Sequence, residues 1–440
     1  MEIFCVSVVV TKLYQRWILI QKGSFAFTEI HVSRHIDKEI EKTAREVLKE
    51  NDYKLPIYCL LEYHGQLQTL IHFVMRNISR VLFNLSGHPS MMVTFDRELL
   101  VMPDGGTIAL DWACKQKENT TVLTDSSPVI LLCHGLVGDS QSEYIYHLSR
   151  RLMRAGYRAV VMVARGCGGL HLTSGGIFAG RRTSDIAACI HHIDDKYPQA
   201  KLFCVGFSLG AALTLQYLAE EHVPDSPKGS TFQGMSHWEA YAPVTAAVVV
   251  SPPWDIKTNS LVPRLIPSLW SYLLVVPLKV YFLLHYETLQ RESPELYGKI
   301  SLWNVLSCLT MADFERLCYN CHYRASGGTY GSIEAYYNDI SPLHSAHYVH
   351  TPTVSLTSMD DPICMHEHCP SSTGSSSSGG GGGGDGEEDE QSAATTNTIG
   401  PGLIVVKTPY GGHLAYPGGF FPITAAWTDH IIVEWFRQFL

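Results

Sequence analysis

The sequence predicts a protein of the α/β class, with an open, mostly parallel central sheet flanked by helices. Short continuous apolar runs are typical of strands that are buried on both faces. Segments whose apolar residues recur at helical spacing lie between these runs, and this alternation favours parallel strands joined by crossover helices. The strand-like runs are 128–133, 157–163, 201–205 and 246–250, and the helical segments are 142–155, 184–196 and 209–221.

Composition and charge narrow the class of protein further. The 440 residues are 45% hydrophobic and 17% charged, which is enough apolar material for a large core and excludes disorder over the whole chain. The formal net charge is −9, and part of it comes from an acidic run at 385–390. Because no strongly basic stretch is available to hold phosphates, we predict no nucleic-acid partner. The 12 cysteines are scattered singly, which is typical of reduced, buried thiols.

The start of the chain lacks the pattern of an export signal. The longest early apolar run, residues 3–10, is closed by Lys12 and Arg16 and is too short to span a bilayer. No basic region precedes it, as a secretory signal would require. We therefore expect a membrane-associated or cytoplasmic protein with neither a signal peptide nor a transmembrane span.

Composition along the chain predicts four regions. Residues 1–90 are expected to form a helical lead-in, and residues 91–255 the first part of the α/β core. Residues 256–345, which are aromatic and punctuated by proline, are expected to form a helical cap between two strands. The core then resumes over residues 346–440. Within it, the serine, glycine and acidic residues of 371–398 predict a disordered insert, because they cannot bury enough apolar area to pack.

The sequence Gly206-Phe-Ser-Leu-Gly210 follows a strand-like run directly and precedes a helical segment directly. In that context G-x-S-x-G is typical of a sharp strand-to-helix turn that exposes a nucleophilic serine. The flanking glycines keep Cβ atoms away from the crowded backbone, and the helix N-terminus directs amide groups at developing negative charge. Ser208 is therefore the predicted nucleophile.

A serine nucleophile needs a base and an acid, which follow it in the chain order Ser, Asp/Glu, His in folds of this kind. The strand-like run 353–357 is followed by Asp360 and Asp361. The run 403–407 is followed by Tyr410-Gly-Gly-His413, whose glycines allow a loop to approach the serine closely. We predict His413 as the general base. The spacing from the small residue Ser358 favours Asp361 over Asp360 as the acid.

An oxyanion hole needs two backbone donors. The amide of Leu209, next after the nucleophile, is one of them, and the loop His134-Gly-Leu136 after the run 128–133 offers the other. We predict that Leu136 donates it. His134 precedes Ser208 and lies where such a fold builds its anion site, so we interpret it as structural.

With these residues identified, the chain resembles the AB hydrolase 4 family of α/β-hydrolase-domain esterases and phospholipid-acting hydrolases. The resemblance runs from about residue 55 to the end and implies an α/β-hydrolase fold with a helical cap. It also implies ester hydrolysis, often of lipids and at membranes, by a triad of Ser208, His413 and one of the paired aspartates. The motifs that carry it are Gly65-Gln-Leu-Gln-Thr69, Asp104-Gly-Gly106, Leu110-Asp-Trp112, His134-Gly-Leu-Val-Gly138, Arg165-Gly-Cys-Gly-Gly169, Gly206-Phe-Ser-Leu-Gly210, Tyr336-Tyr337 with Ser341-Pro342, Asp360-Asp-Pro362 and Tyr410-Gly-Gly-His413.

Three other patterns have competing interpretations. Cys318-Tyr-Asn-Cys-His322 spells a haem-attachment pattern, but nothing else in the sequence favours an exported haem protein. Cys364-Met-His-Glu-His-Cys369 matches no common zinc spacing, so we predict no metal and no cofactor. Arg165-Gly-Cys-Gly-Gly169 lacks the Lys-Ser/Thr ending of a nucleotide loop, which favours a structural or pocket-lining loop.

The apolar segment 261–286 of the predicted cap is interpreted as a cover over the substrate pocket, and peripheral membrane contact through it is the alternative. We therefore predict a serine hydrolase that cleaves carboxylic esters, with acyl lipids as its substrates. A competing hypothesis is a catalytically weak protein that binds lipids or acts as a scaffold on the same fold. The complete Ser–Asp–His set argues against that hypothesis, because a binding protein does not need it.

Overall fold

A computed structural model describes residues 28–53, 65–86, 92–114, 123–222, 243–261, 265–318, 330–370, 399–418 and 426–440. Within these ranges, nine strands form one sheet in the order β1-β9-β8-β7-β6-β4-β5-β3-β2. The strands are β1 (Glu29–Val32), β2 (Thr94–Val101), β3 (Thr107–Cys114), β4 (Val129–Cys133), β5 (Arg158–Val163), β6 (Leu202–Phe207), β7 (Ala246–Val250), β8 (Thr353–Ser358) and β9 (Leu403–Thr408). The segment 371–398, predicted to be a disordered insert, lies outside the described residues.

Helices cover the sheet and fill the connections between its strands. They are α1 (Lys38–Glu50), α2 (Gly65–Ser86), α3 (Glu143–Arg154), α4 (Thr183–Lys196), α5 (Leu209–Glu220), α6 (Ile256–Leu261), α7 (Leu265–Glu292), α8 (Pro294–Tyr297), α9 (Leu302–Ser307), α10 (Met311–Cys318), α11 (Ile333–Ile340) and α12 (Trp427–Arg437). Short 3-10 turns lie at Pro342–His344, Ala346–Tyr348 and His366–His368.

The sheet is parallel in its centre and antiparallel at its margins. Strands β5, β4, β6, β7, β8 and β9 pair in parallel, in that spatial order. At one margin β3 pairs antiparallel with β5 and β2 with β3, and at the other margin β1 pairs antiparallel with β9. The predicted fold class, a mostly parallel α/β sheet flanked by helices, is therefore confirmed.

Side chains of the central strands alternate between two apolar layers, one on each face of the sheet. In β4, Val129, Leu131 and Cys133 join the cluster that contains α4 and α5. Ile130 and Leu132 join the opposite cluster, which contains residues of α1, α3 and α12. Because both faces are covered, the strand reads as a continuous apolar run, and this is the signal that predicted it.

The N-terminal region contributes a strand that the sequence analysis did not predict. Helices were expected over residues 1–90, and α1 and α2 lie there, but Glu29–Val32 forms the edge strand β1. Its register places Glu29 opposite Lys407 and Val32 opposite Ile404. The strand has only four residues, and its partner is far away in the sequence, so no local pattern indicates it.

The cap is attached to the core through helix α7. The Tyr281 hydroxyl donates to the carbonyl of Arg165 at 3.0 Å, and the His285 Nε2–H donates to the carbonyl of Gly166 at 2.9 Å. Phe282 and Phe314 of the cap are buried in the same cluster as Val163 and Cys167 of the core. These contacts seat the cap on the loop that follows β5. Within the described ranges, no helix is long and apolar enough to cross a membrane.

An ion-pair network around Arg165 ties the same loop to the core. The Arg165 guanidinium makes two hydrogen bonds of 2.8 Å to the Asp185 carboxylate and also bonds Asp104. Burial alone would lower the pKa of Arg165, but Asp185 and Asp104 raise it overall, so the group stays charged. The loop Arg165-Gly-Cys-Gly-Gly169 thus has a structural role, because it contacts Asp185 of the core and α7 of the cap.

Replacing Arg165 tests how much this network stabilises the core. Arg165→Leu leaves the Asp185 carboxylate, only 3% exposed, as an uncompensated buried charge. We expect the free energy of unfolding in urea to fall by about 3–5 kcal/mol. The double variant Arg165→Leu/Asp185→Leu, which removes both charges, should recover much of the loss. A single variant as stable as the wild type would contradict this role.

Candidate active site

Ser208 lies in the turn between β6 and α5, with a backbone conformation that serine rarely adopts. Its φ is 52° and its ψ is −118°, outside the regions that are comfortable for residues with a side chain. The Ser208 N–H donates to the carbonyl of Val250 on β7 at 2.9 Å, which fixes the turn against the sheet. The strained turn points the serine side chain away from the sheet edge and towards a cavity that it helps to line.

The two glycines of the turn are required by close backbone contacts. A Cβ at Gly210 would lie 2.3 Å from the carbonyl oxygen of Cys133, and one at Gly206 would lie 2.6 Å from Cα of Ala211. Neither contact can be relieved by moving a flexible side chain, because both involve backbone atoms. The G-x-S-x-G pattern therefore follows from how tightly α5 packs on β4 and β6.

His413 connects Ser208 to Asp361. The imidazole Nε2 lies 3.1 Å from Ser208 Oγ, and its Nδ1 lies 2.9 Å from Asp361 Oδ2. An ionised carboxylate only accepts hydrogen bonds, so Nδ1 carries the proton and Nε2 is left to accept from the serine hydroxyl. The structure thus brings together the three residues that the sequence predicted as nucleophile, base and acid.

The Asp361 carboxylate is oriented by the backbone that follows it. The amides of Ile363 and Cys364 each donate to its Oδ1 at 2.8 Å. Its side chain is fully buried, so water does not compete for it. Two amide donors and one imidazole donor therefore hold the carboxylate in the plane that His413 needs.

Asp360 has a different position in the same turn. Its Oδ1 accepts from the Gly412 N–H at 2.8 Å and contacts the Ser358 hydroxyl. It therefore holds the glycine loop that carries His413, while Asp361 contacts the imidazole itself. Asp361 thus has the contact that the predicted acid needs, and its role as the acid stays a prediction.

Helix α2 supplies a contact that sequence reasoning missed. The hydroxyl of Thr69 accepts from the His413 backbone N–H at 2.8 Å and donates to the Gly65 carbonyl at 2.6 Å. A Cβ at Gly412 would lie 2.7 Å from Thr69 Oγ1, so the loop and the helix are in close contact. The motif Gly65-Gln-Leu-Gln-Thr69 was the available signal, although the motif does not show what Thr69 touches.

The predicted oxyanion donors Leu136 and Leu209 both line the cavity that contains Ser208. Leu209 is the first residue of α5, where a backbone N–H has no partner inside the helix. The loop before Leu136 is fixed from two sides, because the Gly135 N–H donates to the Tyr144 hydroxyl at 2.9 Å and its carbonyl accepts from His134. Both residues thus lie at the cavity that contains Ser208, and their role as oxyanion donors stays a prediction.

His134 is held by two hydrogen bonds that fix its tautomer. Its Nδ1 lies 2.7 Å from the Gly135 carbonyl, which can only accept, and its Nε2 accepts from the Ala164 N–H at 3.1 Å. Burial lowers the pKa of His134, which keeps the ring neutral. With both nitrogens engaged, His134 supports the loop, as the sequence interpretation proposed.

The cavity above Ser208 has a volume of about 600 Å³. Aliphatic and aromatic side chains of α7 and α10 contribute to its lining, together with residues of α2. Among the lining residues are two groups with shifted pKa values. Burial and the charge of Arg76 lower the pKa of His72 to about 3, and burial raises the pKa of Glu315 to about 7, with its hydrogen bond to Tyr337 opposing the shift.

One group of residues in the described part of the chain has the donor atoms of a metal site. Asp361, Cys364 and His413 bring a carboxylate oxygen, a thiol and an imidazole nitrogen within 4.8 Å of one another. Asp361 and His413 are already hydrogen-bonded to each other, so their donor atoms serve the triad geometry. Cys321 and His322 of the haem-like pattern lie outside the described residues.

Comparison with known proteins agrees with this fold. The family model described as alpha/beta hydrolase fold matches residues 128–376, which is more than half of the chain. The chain therefore belongs to the alpha/beta hydrolase fold family, and the predicted membership of the superfamily is confirmed.

Individual relatives have low sequence identity to this chain. The chain is 27% identical over 352 residues to the Homo sapiens protein named phospholipase ABHD3, and this alignment covers 79% of this chain and 72% of that protein. It is 26% identical over 243 residues to a Saccharomyces cerevisiae monoacylglycerol lipase, which covers 54% of this chain and 49% of that protein. Among solved structures, the Pyrococcus furiosus esterase Pf2001 aligns with 79% of this chain and 93% of its own, at 13% identity and a TM-score of 0.42.

The two neighbouring aspartates provide a matched pair of variants. Asp361→Asn presents an amide to His413 and favours the wrong imidazole tautomer, so kcat should fall by up to about 10⁴-fold. Asp360→Asn keeps an acceptor oxygen for the Gly412 N–H and should cost much less. Steady-state kinetics on a carboxylic ester measures both effects, and a larger loss at Asp360 would reverse the assignment.

Glu315 should make stability depend on pH in a definite direction. Its pKa in the folded protein, about 7, is above its ordinary value of 4.5, because burial disfavours the charged form. Between these two values the folded state keeps a proton that the unfolded chain loses, so stability decreases as the pH rises and the cost is complete above the folded pKa. The thermal midpoint of the wild type should therefore fall more than that of Glu315→Gln between about pH 5 and about pH 8. Parallel curves for the two proteins would contradict a raised pKa of Glu315 in the folded protein.

Proposed function

We propose that the protein is a serine hydrolase that cleaves carboxylic esters, with acyl lipids as its substrates. The observation that carries the proposal is the hydrogen-bonded series Ser208–His413–Asp361 at one wall of a cavity. Relatives named phospholipase and monoacylglycerol lipase support an ester bond in a lipid as the target. The apolar lining and the size of the cavity are suited to an acyl chain.

The first half of the reaction transfers the acyl group to the enzyme. Ser208 Oγ attacks the ester carbonyl carbon while its proton moves to His413 Nε2. Asp361 stabilises the resulting imidazolium through the Nδ1–H bond. The N–H groups of Leu136 and Leu209 donate hydrogen bonds to the carbonyl oxygen and so stabilise the negative charge that develops on it. The carbon–oxygen bond to the alcohol then breaks, and the alkoxide takes the proton from His413 as it leaves.

The second half repeats these steps with water. His413 Nε2, now neutral, removes a proton from a water molecule, whose oxygen attacks the acyl-enzyme carbonyl. The tetrahedral intermediate collapses, the bond to Ser208 Oγ breaks, and the serine regains its proton from His413. The products are a fatty acid and an alcohol. No step requires a metal ion or an organic cofactor.

Cap residues would hold the acyl chain. Trp270, Leu273, Leu274, Phe282 and Phe314 line the cavity and carry no group that could act as acid or base in the steps above. The segment 261–286 would thus govern which lipids reach Ser208, and we propose that its exposed side also contacts the membrane from which they come. The length of the preferred chain would follow from how much of this lining the chain can cover.

Replacing the nucleophile tests the proposal. Ser208→Ala removes the attacking oxygen and leaves the protein folded, so kcat for a carboxylic ester should fall by several orders of magnitude, about 10⁴-fold or more. Ser126→Ala, at an exposed serine of the loop before β4, is the matched control and should keep the wild-type rate. The rates are measured on a short soluble ester and on a long-chain lipid. Retained turnover in purified, folded Ser208→Ala would refute the proposal.

A further inference from the structure

Helix α2 has its polar and apolar faces reversed relative to an ordinary helix of a water-soluble protein. Such a helix normally turns its apolar stripe to the core and its polar residues to solvent. In α2 the side chains of Gln68, Thr69, His72 and Arg76 are buried. Large apolar side chains on its other face are exposed, namely Leu67, Leu70, Phe73, Val74, Ile78, Val81 and Leu82.

The spacing shows that these are two faces of one helix. Thr69, His72 and Arg76 follow one another at intervals of three and four residues, and Leu70, Val74 and Ile78 do so at intervals of four. Phe73 and Leu82 are each 56% exposed, so more than half of each of these apolar residues is accessible to solvent. Helix α2 also contains no Asp or Glu, although acidic residues are common on the solvent-facing side of a helix.

Helices α7 and α9 of the cap expose similar side chains. On α7 these are Tyr272, Leu273, Val276, Val280, Leu283 and Leu284, and on α9 they are Leu302, Trp303 and Leu306. Trp303 is 77% exposed, which is unusual for the largest apolar side chain. From residue 265 to residue 286 the sequence of α7 has one charged residue, Lys279, whose Nζ donates to the carbonyl of Leu306 and so ties α7 to α9.

The cavity and the exposed apolar faces share residues. Leu70 and Phe73 of α2 and Leu273 of α7 line the cavity, and each of them is also about half exposed. These residues therefore form the rim where the cavity meets the surface. Both helices thus contribute apolar side chains to this rim, and an acyl chain that enters there would contact them.

We infer that α2 and α7 together form a membrane-docking surface, and that its occupant is the surface of a lipid bilayer. The inference deepens the proposed function, since it names the source from which the proposed substrate enters. A bilayer fits the surface because both helices expose many large apolar side chains and both contribute residues to the cavity rim. A protein bound permanently at this place would close the entrance that a lipid substrate needs.

This arrangement differs from contact through the cap alone. Helix α2 also positions His413 through Thr69, whose side chain lies on the buried face of the same helix. The helix that rests on the bilayer would thus contact the catalytic loop directly, and a lipid would move from the bilayer past Leu70 and Phe73 to Ser208. Docking by burial of apolar area should depend little on salt or on lipid charge.

Vesicle binding tests the inference with residues that do not line the cavity. Val74, Ile78 and Leu82 of α2 are exposed and absent from the lining, so the triple variant Val74→Gln/Ile78→Gln/Leu82→Gln removes apolar area and spares the pocket. Co-sedimentation with phosphatidylcholine vesicles should weaken by about tenfold or more, because each buried aliphatic side chain contributes substantially to partitioning. Val276→Gln/Val280→Gln/Leu284→Gln on α7 should have a similar effect.

The matched control removes apolar side chains elsewhere. Leu99 and Val101 are exposed on the edge strand β2, none of whose residues lines the cavity. Leu99→Thr/Val101→Thr should bind vesicles like the wild type. All the variants should hydrolyse a short soluble ester at the wild-type rate, which shows that they fold and that the triad is intact.

The outcomes separate the inference from the proposed function. Vesicle binding is measured in the Ser208→Ala background as well, so it is tested even if the protein hydrolyses no ester. Unchanged vesicle binding by the α2 variant would overturn the inference. A second outcome would also overturn it: the wild-type protein binds no vesicles and is a dimer by light scattering, while the α2 variant is a monomer. The occupant would then be a second copy of the chain.

Discussion

The close packing of helix α5 on strands β4 and β6 is the constraint on which the rest of the site depends. Gly210 lies so near the carbonyls of Cys133 and His134 that no larger residue fits, and this contact forces the turn in which Ser208 has a φ of 52°. The same packing aims the N-terminus of α5 at the space above the serine and brings the loop that contains Leu136 beside it. The positions of the predicted nucleophile Ser208 and of the predicted amide donors Leu136 and Leu209 at the cavity thus depend on how closely these backbone segments approach one another.

His413 and Asp361, the predicted base and acid, are held by a second set of contacts, which come from distant parts of the sequence. Asp361 and His413 follow adjacent parallel strands, β8 and β9, so their side chains emerge at the same edge of the sheet as Ser208. Asp360 and Thr69 fix the loop of His413 from two sides, through the amides of Gly412 and His413. Helix α2 is therefore part of the site through Thr69. Its residues Leu70 and Phe73 also line the cavity and are exposed at the surface of the molecule.

Much of this arrangement could be predicted from local patterns. The apolar runs predicted the central strands because those strands are buried on both faces, and the strand-turn-helix context predicted the geometry at Ser208. The spacing from Ser358 predicted which aspartate meets His413. Three features could not be predicted, namely the strand β1, the contact of Thr69 with His413 and the raised pKa of Glu315. Each depends on a partner that is remote in sequence or on the shape of the cavity. The catalytic roles of Ser208, Asp361, His413, Leu136 and Leu209, and the domain boundaries, stay predictions.

The central claim is that Ser208 is a nucleophile activated by its surroundings, and covalent labelling measures this most directly. A fluorophosphonate reacts with an activated serine hydroxyl and leaves a stable adduct, whereas the serines of a binding protein stay unmodified. Mass spectrometry of the native protein should find one adduct per chain, on the peptide that contains Gly206-Phe-Ser-Leu-Gly210, and protein unfolded in urea beforehand should not be labelled. No adduct on the folded native protein, or an adduct on a different serine, would contradict the account.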